Sequence, residues 1–220
     1  MAITTFIYDM DGLIIDSEPL WYEAALESLE PFGISIGHEE YYQSTGLRTK
    51  EFLHYWFTRY GIDLEQTASS EADITKRVIE KVKSKGRPMP GVESSIQLAK
   101  QLGMKIGLAS SSPLSLIEAV LEKTGLGNYF TARTSAEHLP FGKPHPEVFL
   151  NCATALSSSP NECICLEDSL NGLVAAKSAR MKCIVVPHPD QKTHPHWVWA
   201  DLHVDSLEQL NEHVLQSLLK

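Results

Sequence analysis

Ile3-Thr4-Thr5-Phe6-Ile7-Tyr8-Asp9-Met10-Asp11-Gly12 is the stretch on which the fold turns. Its first six residues form a short apolar run and read as a buried strand. Two carboxylates, two residues apart, then leave the end of that strand together, and glycine supplies a turn. The side chain of one acid and the backbone carbonyl of the next can grip a hard cation such as Mg²⁺, which takes oxygen ligands. A carboxylate oxygen of Asp9 is left as a nucleophile, and Asp11 is free to move protons. An acidic pair before glycine is also an ordinary turn, so the rest of the chain has to decide.

Working outward, the same punctuation recurs. Candidate strands at Phe6–Asp9, Lys105–Ala109, Ala132–Thr134, Ile164–Glu167 and Lys182–Val186 alternate with helical patterns at Val92–Leu102, Leu114–Thr124, Pro146–Leu156 and Leu170–Ala179. This rhythm predicts an α/β fold, a parallel sheet with helices on both faces. Ligands of such sheets bind beyond the carboxyl ends of the strands. Residues 17–90 differ, with helical periodicity and almost no strand. Trp21, Ala24, Ala25, Leu26 and Leu29 suit one helical face, and Phe52, Leu53, Trp56, Phe57 and Tyr60 another. Arg87-Pro88-Met89-Pro90-Gly91 reads as a stiff connector. The expected division is a core of residues 1–16 and 91–220 with a helical lobe, 17–90, inserted after the first strand. Two linkers into one lobe would act as a hinge. Ser206 to Leu218 reads as a closing helix with an apolar stripe.

Three more strand ends carry chemistry. Ile106-Gly107-Leu108-Ala109 runs into Ser110-Ser111-Ser112-Pro113, where free N–H groups and the Ser110 hydroxyl can cradle a phosphate. Ser112 is equally placed to cap the helix that Pro113 opens. In Phe141-Gly142-Lys143-Pro144-His145-Pro146, a lysine sits on a stiff loop and can pair with both a phosphate and Asp9. Glu167-Asp168-Ser169 ends the Cys163–Leu166 run with a second acidic pair. Asp168 is the expected direct metal ligand, Glu167 binds directly or through water, and helix capping by Asp168 or Ser169 is the alternative.

Composition narrows the function. The chain has 220 residues, enough for one sizeable core plus a lobe. A net charge of −9 gives no footprint for nucleic acid or an anionic membrane. No apolar run reaches bilayer-spanning length, and no secretory pattern opens the chain, so a cytoplasmic location is expected. Cys152, Cys163, Cys165 and Cys183 form no CxxC pair and read as reduced, buried thiols. His188, His194 and His196 fall in a Pro-rich loop without an accompanying acid or Cys set and read as surface packing.

With these residues in view, the chain resembles phosphatases of the haloacid dehalogenase superfamily. Asp9-Met10-Asp11-Gly12, Ser110, Lys143-Pro144 and Glu167-Asp168-Ser169 carry the resemblance over nearly the whole chain. The helical insert resembles the small four-helix cap of the β-phosphoglucomutase-like subgroup, on a Rossmann-like core. Asp16-Ser17-Glu18-Pro19-Leu20, Leu108 to Leu114 and Lys143-Pro144-His145-Pro146 bring it nearest to bacterial 2-deoxyglucose-6-phosphate or hexitol phosphatases. The resemblance implies attack by Asp9, proton transfer by Asp11, phosphoryl binding by Ser110, Ser111 and Lys143, and Mg²⁺ held by Asp9, the Asp11 carbonyl, Asp168 and Glu167. It implies a phosphorylated sugar or sugar alcohol as substrate, and a monomer. Mutases of the subgroup carry a histidine near Trp21 and a lysine at the position of Pro113, which argues for hydrolysis over phosphosugar mutation. A non-catalytic phosphosugar-binding module is the other alternative, and it has no use for a second proton-handling acid. Glu18, Trp21 and Asn171 are candidate substrate contacts. Thr45-Gly46-Leu47-Arg48 would lie over the substrate, Arg48 binding hydroxyls or a second anionic group, or else pairing with Glu51.

Overall fold

The computed structural model describes residues 2–42, 44, 47–216 and 218. Among them, six strands form one parallel sheet. They are β1 (Thr5–Tyr8), β2 (Lys105–Ser110), β3 (Ala132–Ser135), β4 (Cys163–Glu167), β5 (Lys182–Val185) and β6 (Leu202–His203), in the order β3-β2-β1-β4-β5-β6. The order reverses at β1, which pairs with β2 on one side and β4 on the other. That reversal opens a crevice beyond the carboxyl ends of β1 and β4, where the two acidic pairs emerge.

Strand β1 is buried throughout and divides its side chains between two apolar clusters. Phe6 and Tyr8 face one way, with Leu108, Ile164 and Leu166, against Ile96 of α5 (Val92–Gln101) and Leu116 and Val120 of α6 (Leu114–Thr124). Ile7 faces the other, with Ala109, Cys165 and Cys183, against Phe149 of α7 (Glu147–Ala155) and Leu173 and Ala176 of α8 (Leu170–Ser178). The near-continuous apolar strands are those of a sheet covered on both faces.

Between β1 and α5 lie α1 (Glu18–Leu29), α2 (His38–Tyr42), α3 (Thr49–Tyr60) and α4 (Thr67–Lys85). Leu20, Ala24, Leu29, Leu53, Trp56, Phe57, Ile74, Val78 and Val82 are buried between them, which accounts for the two predicted apolar faces. Tyr60 stays exposed. The outgoing and returning connections run side by side: Asp16 donates to the Arg87 carbonyl at 3.0 Å and Met89 to that of Ile14 at 2.9 Å. Lys123 Nζ of α6 donates to the Lys83 carbonyl of α4 at 2.8 Å, tying helices to sheet layer.

Two local expectations change, and one strand is added. The closing helix over Ser206–Leu218 is broken into a 3₁₀ turn (Leu207–Gln209) and a short α9 (Glu212–Leu215). Ser206 and Asn211 each cap a separate turn with their side chains, which competes with a continuous helix. Strand β6 has only two residues, too short to show a pattern. Ser112 does not cap α6: Pro113 occupies the cap position and the Ser112 hydroxyl turns to Asp11.

Candidate active site

Asp9 follows β1, and its N–H is anchored by the Leu166 carbonyl of β4 at 2.9 Å. Lys143 enters from the loop between β3 and α7. Its Nζ lies 2.6 Å from Asp9 Oδ1, 2.6 Å from Glu167 Oε1 and 3.1 Å from the Ala109 carbonyl, above the ring of Phe149. The three charged side chains are almost fully buried. Glu167 Oε2 accepts from the N–H groups of Asp168 and Ser169 and from the Ser169 hydroxyl. Both Glu167 oxygens are therefore committed within the protein. Ser169 caps α8 by accepting from Gly172 N–H at 3.0 Å, as one alternative held.

Asp11 carries a different partner set. Its Oδ1 accepts from Ser17 Oγ at 2.6 Å and Trp21 Nε1 at 2.8 Å, and its Oδ2 from Ser112 Oγ at 2.6 Å. One donor comes from the loop after β2 and one from α1. The orientation of this acid thus depends on both layers of the molecule. Ser17 and Ser112 were not among the residues singled out for chemistry. Their signal was proximity in sequence to Glu18 and Ser110, and a hydroxyl has too many ordinary uses for that to identify it.

Ser110 and Ser111 line the same cavity, with Glu18, Trp21 and Arg48 on the far side. Ser110 Oγ accepts from Ser112 N–H at 3.0 Å. Two buried polar atoms of the wall, Ser111 Oγ and Glu18 Oε2, make no hydrogen bond within the protein. Buried polar groups are nearly always paired, so these point to a ligand. Arg48 reaches the wall but pairs with Glu51 at 2.6 Å. Thr45 and Gly46 lie outside the described residues. Asn171 sits in the first turn of α8 and is not part of the wall.

Two glycines make these approaches feasible, and neither was read for that purpose. A Cβ on Gly12 would stand 2.1 Å from Asp168 Oδ2, and one on Gly172 1.8 Å from the Glu167 carboxyl carbon. Gly12 also has φ +71°, a conformation other residues rarely take.

A model described as haloacid dehalogenase-like hydrolase matches residues 6–186. The chain belongs to the haloacid dehalogenase-like hydrolase family. It is 42% identical over 213 residues to hexitol phosphatase B of Escherichia coli K12, covering 94% of each chain. Among solved structures, β-phosphoglucomutase from Clostridium difficile superposes with a TM-score of 0.85 at 29% identity, over 97% of this chain and 96% of that one. CbbY from Rhodobacter sphaeroides, in complex with xylulose-(1,5)bisphosphate, gives 0.85 at 26% identity, over 96% and 97%. Within the haloacid dehalogenase-like hydrolases, this chain is a phosphatase.

The family implies Mg²⁺, and the donor set fits it. Ligand oxygens of Asp9, Glu167 and Asp168 lie within 4.8 Å of one another, all hard donors. Burial, and then neighbouring Glu167, Asp9 and Glu18, push the Asp168 carboxyl well above the usual range. Burial raises Asp9 to about 8, outweighing Lys143. Burial, then Asp11 and Asp16, raise Glu18 to about 7. Burial pulls the Lys143 ammonium down, but Asp9 and Glu167 more than offset it and hold it above its ordinary value. One lysine among so many carboxylates leaves an excess of negative charge that a divalent cation would balance.

Proposed function

We propose that this chain hydrolyses small sugar phosphates, hexose or hexitol esters such as 2-deoxyglucose 6-phosphate, through a phosphoaspartate on Asp9. The observation that carries this reading is the convergence of Asp9, Lys143, Glu167 and Asp168 at the crevice between β1 and β4. The hexitol phosphatase relative supports the substrate class.

Asp9 attacks phosphorus in line, forming a new O–P bond as the ester P–O bond breaks. Asp11, oriented by Ser17, Trp21 and Ser112, gives its proton to the departing sugar oxygen. It then takes a proton from water, whose oxygen attacks the phosphoaspartate, releases phosphate and restores Asp9. Lys143, Ser110 and Ser111 hold the phosphoryl oxygens, the unpartnered Ser111 hydroxyl supplying a ready donor. Mg²⁺ would be held by Asp9, Asp168 and the Asp11 carbonyl, and when bound it supplies positive charge against the anion building at phosphorus. Glu167, fully engaged with Lys143 and the Ser169 turn, orients the lysine or reaches the cation through water.

Residues 17–90 act as the helical cap domain and 1–16 with 91–220 as the core, hinged at the paired connections near Ile15 and Pro88. Glu18 and Trp21, on the first helix of that cap, face the substrate side of the cavity. The protein works as a monomer, and in the cytoplasm, the location being supported by its four free, buried thiols. No helix among the described residues is long and apolar enough to cross a membrane.

Phosphate release measured across phosphorylated hexoses and hexitols tests the reading, with β-glucose 1-phosphate as a control for mutase activity. Activity should vanish in EDTA and return with Mg²⁺. Asp9→Asn should lose about four orders of magnitude in turnover while remaining folded. If Asp9→Asn keeps most of the activity, Asp9 is not the nucleophile.

A further inference from the structure

We infer that Arg48 is a latch between the helical cap and the loop carrying Lys143, and that the cavity consequently selects esters bearing a single phosphate. The inference rests on the sugar-phosphatase reading and narrows its substrate class. Arg48 precedes α3 on the cap side, and its side chain crosses to the core. A guanidinium has five N–H donors, and five hydrogen bonds account for them. Nε and Nη2 donate to Glu51 Oε1 at 3.0 and 2.6 Å. Nη1 donates to the carbonyls of Ala136 at 3.2 Å and Leu139 at 2.6 Å, and Nη2 to that of Pro140 at 3.3 Å. Three carbonyls of one loop thus converge on one cation from the opposite layer. Glu51 aims it, its other oxygen accepting from the Arg48 backbone N–H at 3.0 Å.

Gly142, immediately before Lys143, completes the fit. The Arg48 stem lies so close that a Cβ there would stand 2.9 Å from its Cγ and Nε. The latch therefore bears on the backbone that delivers Lys143 to Asp9.

A spent guanidinium cannot also anchor a second phosphate. Arg48 and Lys143 are the only cationic side chains among the described residues of the cavity wall, and Lys143 belongs to the reacting phosphoryl group. The cap side of the wall is otherwise the Glu18 carboxylate and Trp21, the apolar Ala25, Leu47, Phe52 and Ile74, and a few hydroxyls. Stripping water from a second dianion against that surface carries a large unpaid desolvation penalty.

The test compares glucose 6-phosphate with glucose 1,6-bisphosphate in the wild type, Arg48→Gln and Arg48→Lys, and follows amide exchange across residues 136–142. The wild type should favour the monophosphate by about 100-fold or more in kcat/KM, as expected when a charged group lacks its partner. Arg48→Gln should lower kcat/KM on the monophosphate about tenfold, leave the mono-to-bisphosphate ratio within about threefold, and speed exchange at Ala136 and Leu139. Arg48→Lys should recover part of both. A loss confined to the bisphosphate, or a wild type equally active on both esters, would make Arg48 an anion anchor and overturn the inference. Unchanged exchange in Arg48→Gln overturns the latch whichever esters the wild type hydrolyses, so the latch and the sugar-phosphate reading fail on separate measurements. If Arg48→Gln does not fold, Glu51→Gln replaces it, with the same expected directions at smaller amplitude.

Discussion

The two walls of the cavity are built on opposite physical terms. On the core side, Asp9, Lys143 and Glu167 are almost without solvent, with Lys143 paired to both carboxylates. On the cap side, charge lies mostly on the outside. Arg77, Lys81 and Lys85 of α4 pair with Glu27 and Glu23 of α1 in a solvent-facing ladder, while the cavity face is largely apolar. Chemistry needs charges whose positions are fixed and unscreened. Recognition of a neutral sugar body needs a wall that can move and repack. A difference in tolerance to mutation should follow, steep on the core side and shallow on the cap.

The largest effect is expected from Lys143→Met. It leaves Asp9 and Glu167 facing one another unneutralised, and should cost about 3–5 kcal/mol of unfolding free energy at pH 8 in EDTA. Turnover should fall about 10³-fold or more. Chemical denaturation and initial rates read the two separately.

Gly172→Ala comes next. Within a helix this change ordinarily gains up to about 1 kcal/mol. Here the added methyl meets a Glu167 carboxylate pinned by Lys143 and Ser169, so the sign should invert to a loss of about 3 kcal/mol, seen in denaturant midpoints. A neutral or stabilising result would mean that the core wall is far softer than its hydrogen bonds imply.

Trp21→Phe keeps an aromatic ring but removes the indole N–H that reaches Asp11 across the two walls. Losing a hydrogen bond to a charged acceptor should cost about tenfold in kcat on alkyl phosphates. With p-nitrophenyl phosphate, whose leaving group needs no proton, the loss should be smaller. Equal losses on both esters would detach Trp21 from proton transfer.

Glu18 offers a pH test in the metal-free protein. Its folded pKa, about 7, stands above the unfolded value. The folded state holds that proton more tightly, so the associated stability is present in full at low pH and disappears as pH rises through 7. Glu18→Gln has no such proton. The wild type should lose about 1–2 kcal/mol relative to Glu18→Gln between pH 5 and pH 8, read from paired denaturation curves. The smallest effect belongs to the outer ladder: Lys81→Met should cost no more than about 1 kcal/mol, diminishing with salt.

The core wall was legible in the chain because each of its groups ends a strand. Asp9, Ser110 and Glu167 stand at or beside the carboxyl ends of β1, β2 and β4, and a parallel sheet aligns such ends whatever else the chain does. Lys143 was legible from the Gly and Pro around it. The cap wall was less so. Arg48 was open to a ligand or to Glu51, and the three carbonyls of residues 136–140 that absorb it lie some ninety positions away. Asn171, three residues after Asp168, falls in the first turn of α8 and does not line the cavity.

Sequence alone determined the strand order's raw material, the residue types at each strand end and the family, since periodicity and residue type act locally along the chain. Tertiary structure alone decided which hydroxyls hold Asp11, why Gly12 and Gly172 must lack a side chain, and where Arg48 spends its charge. Those are contacts between segments far apart in the chain, and their energies depend on separations of a few ångströms that no local pattern encodes.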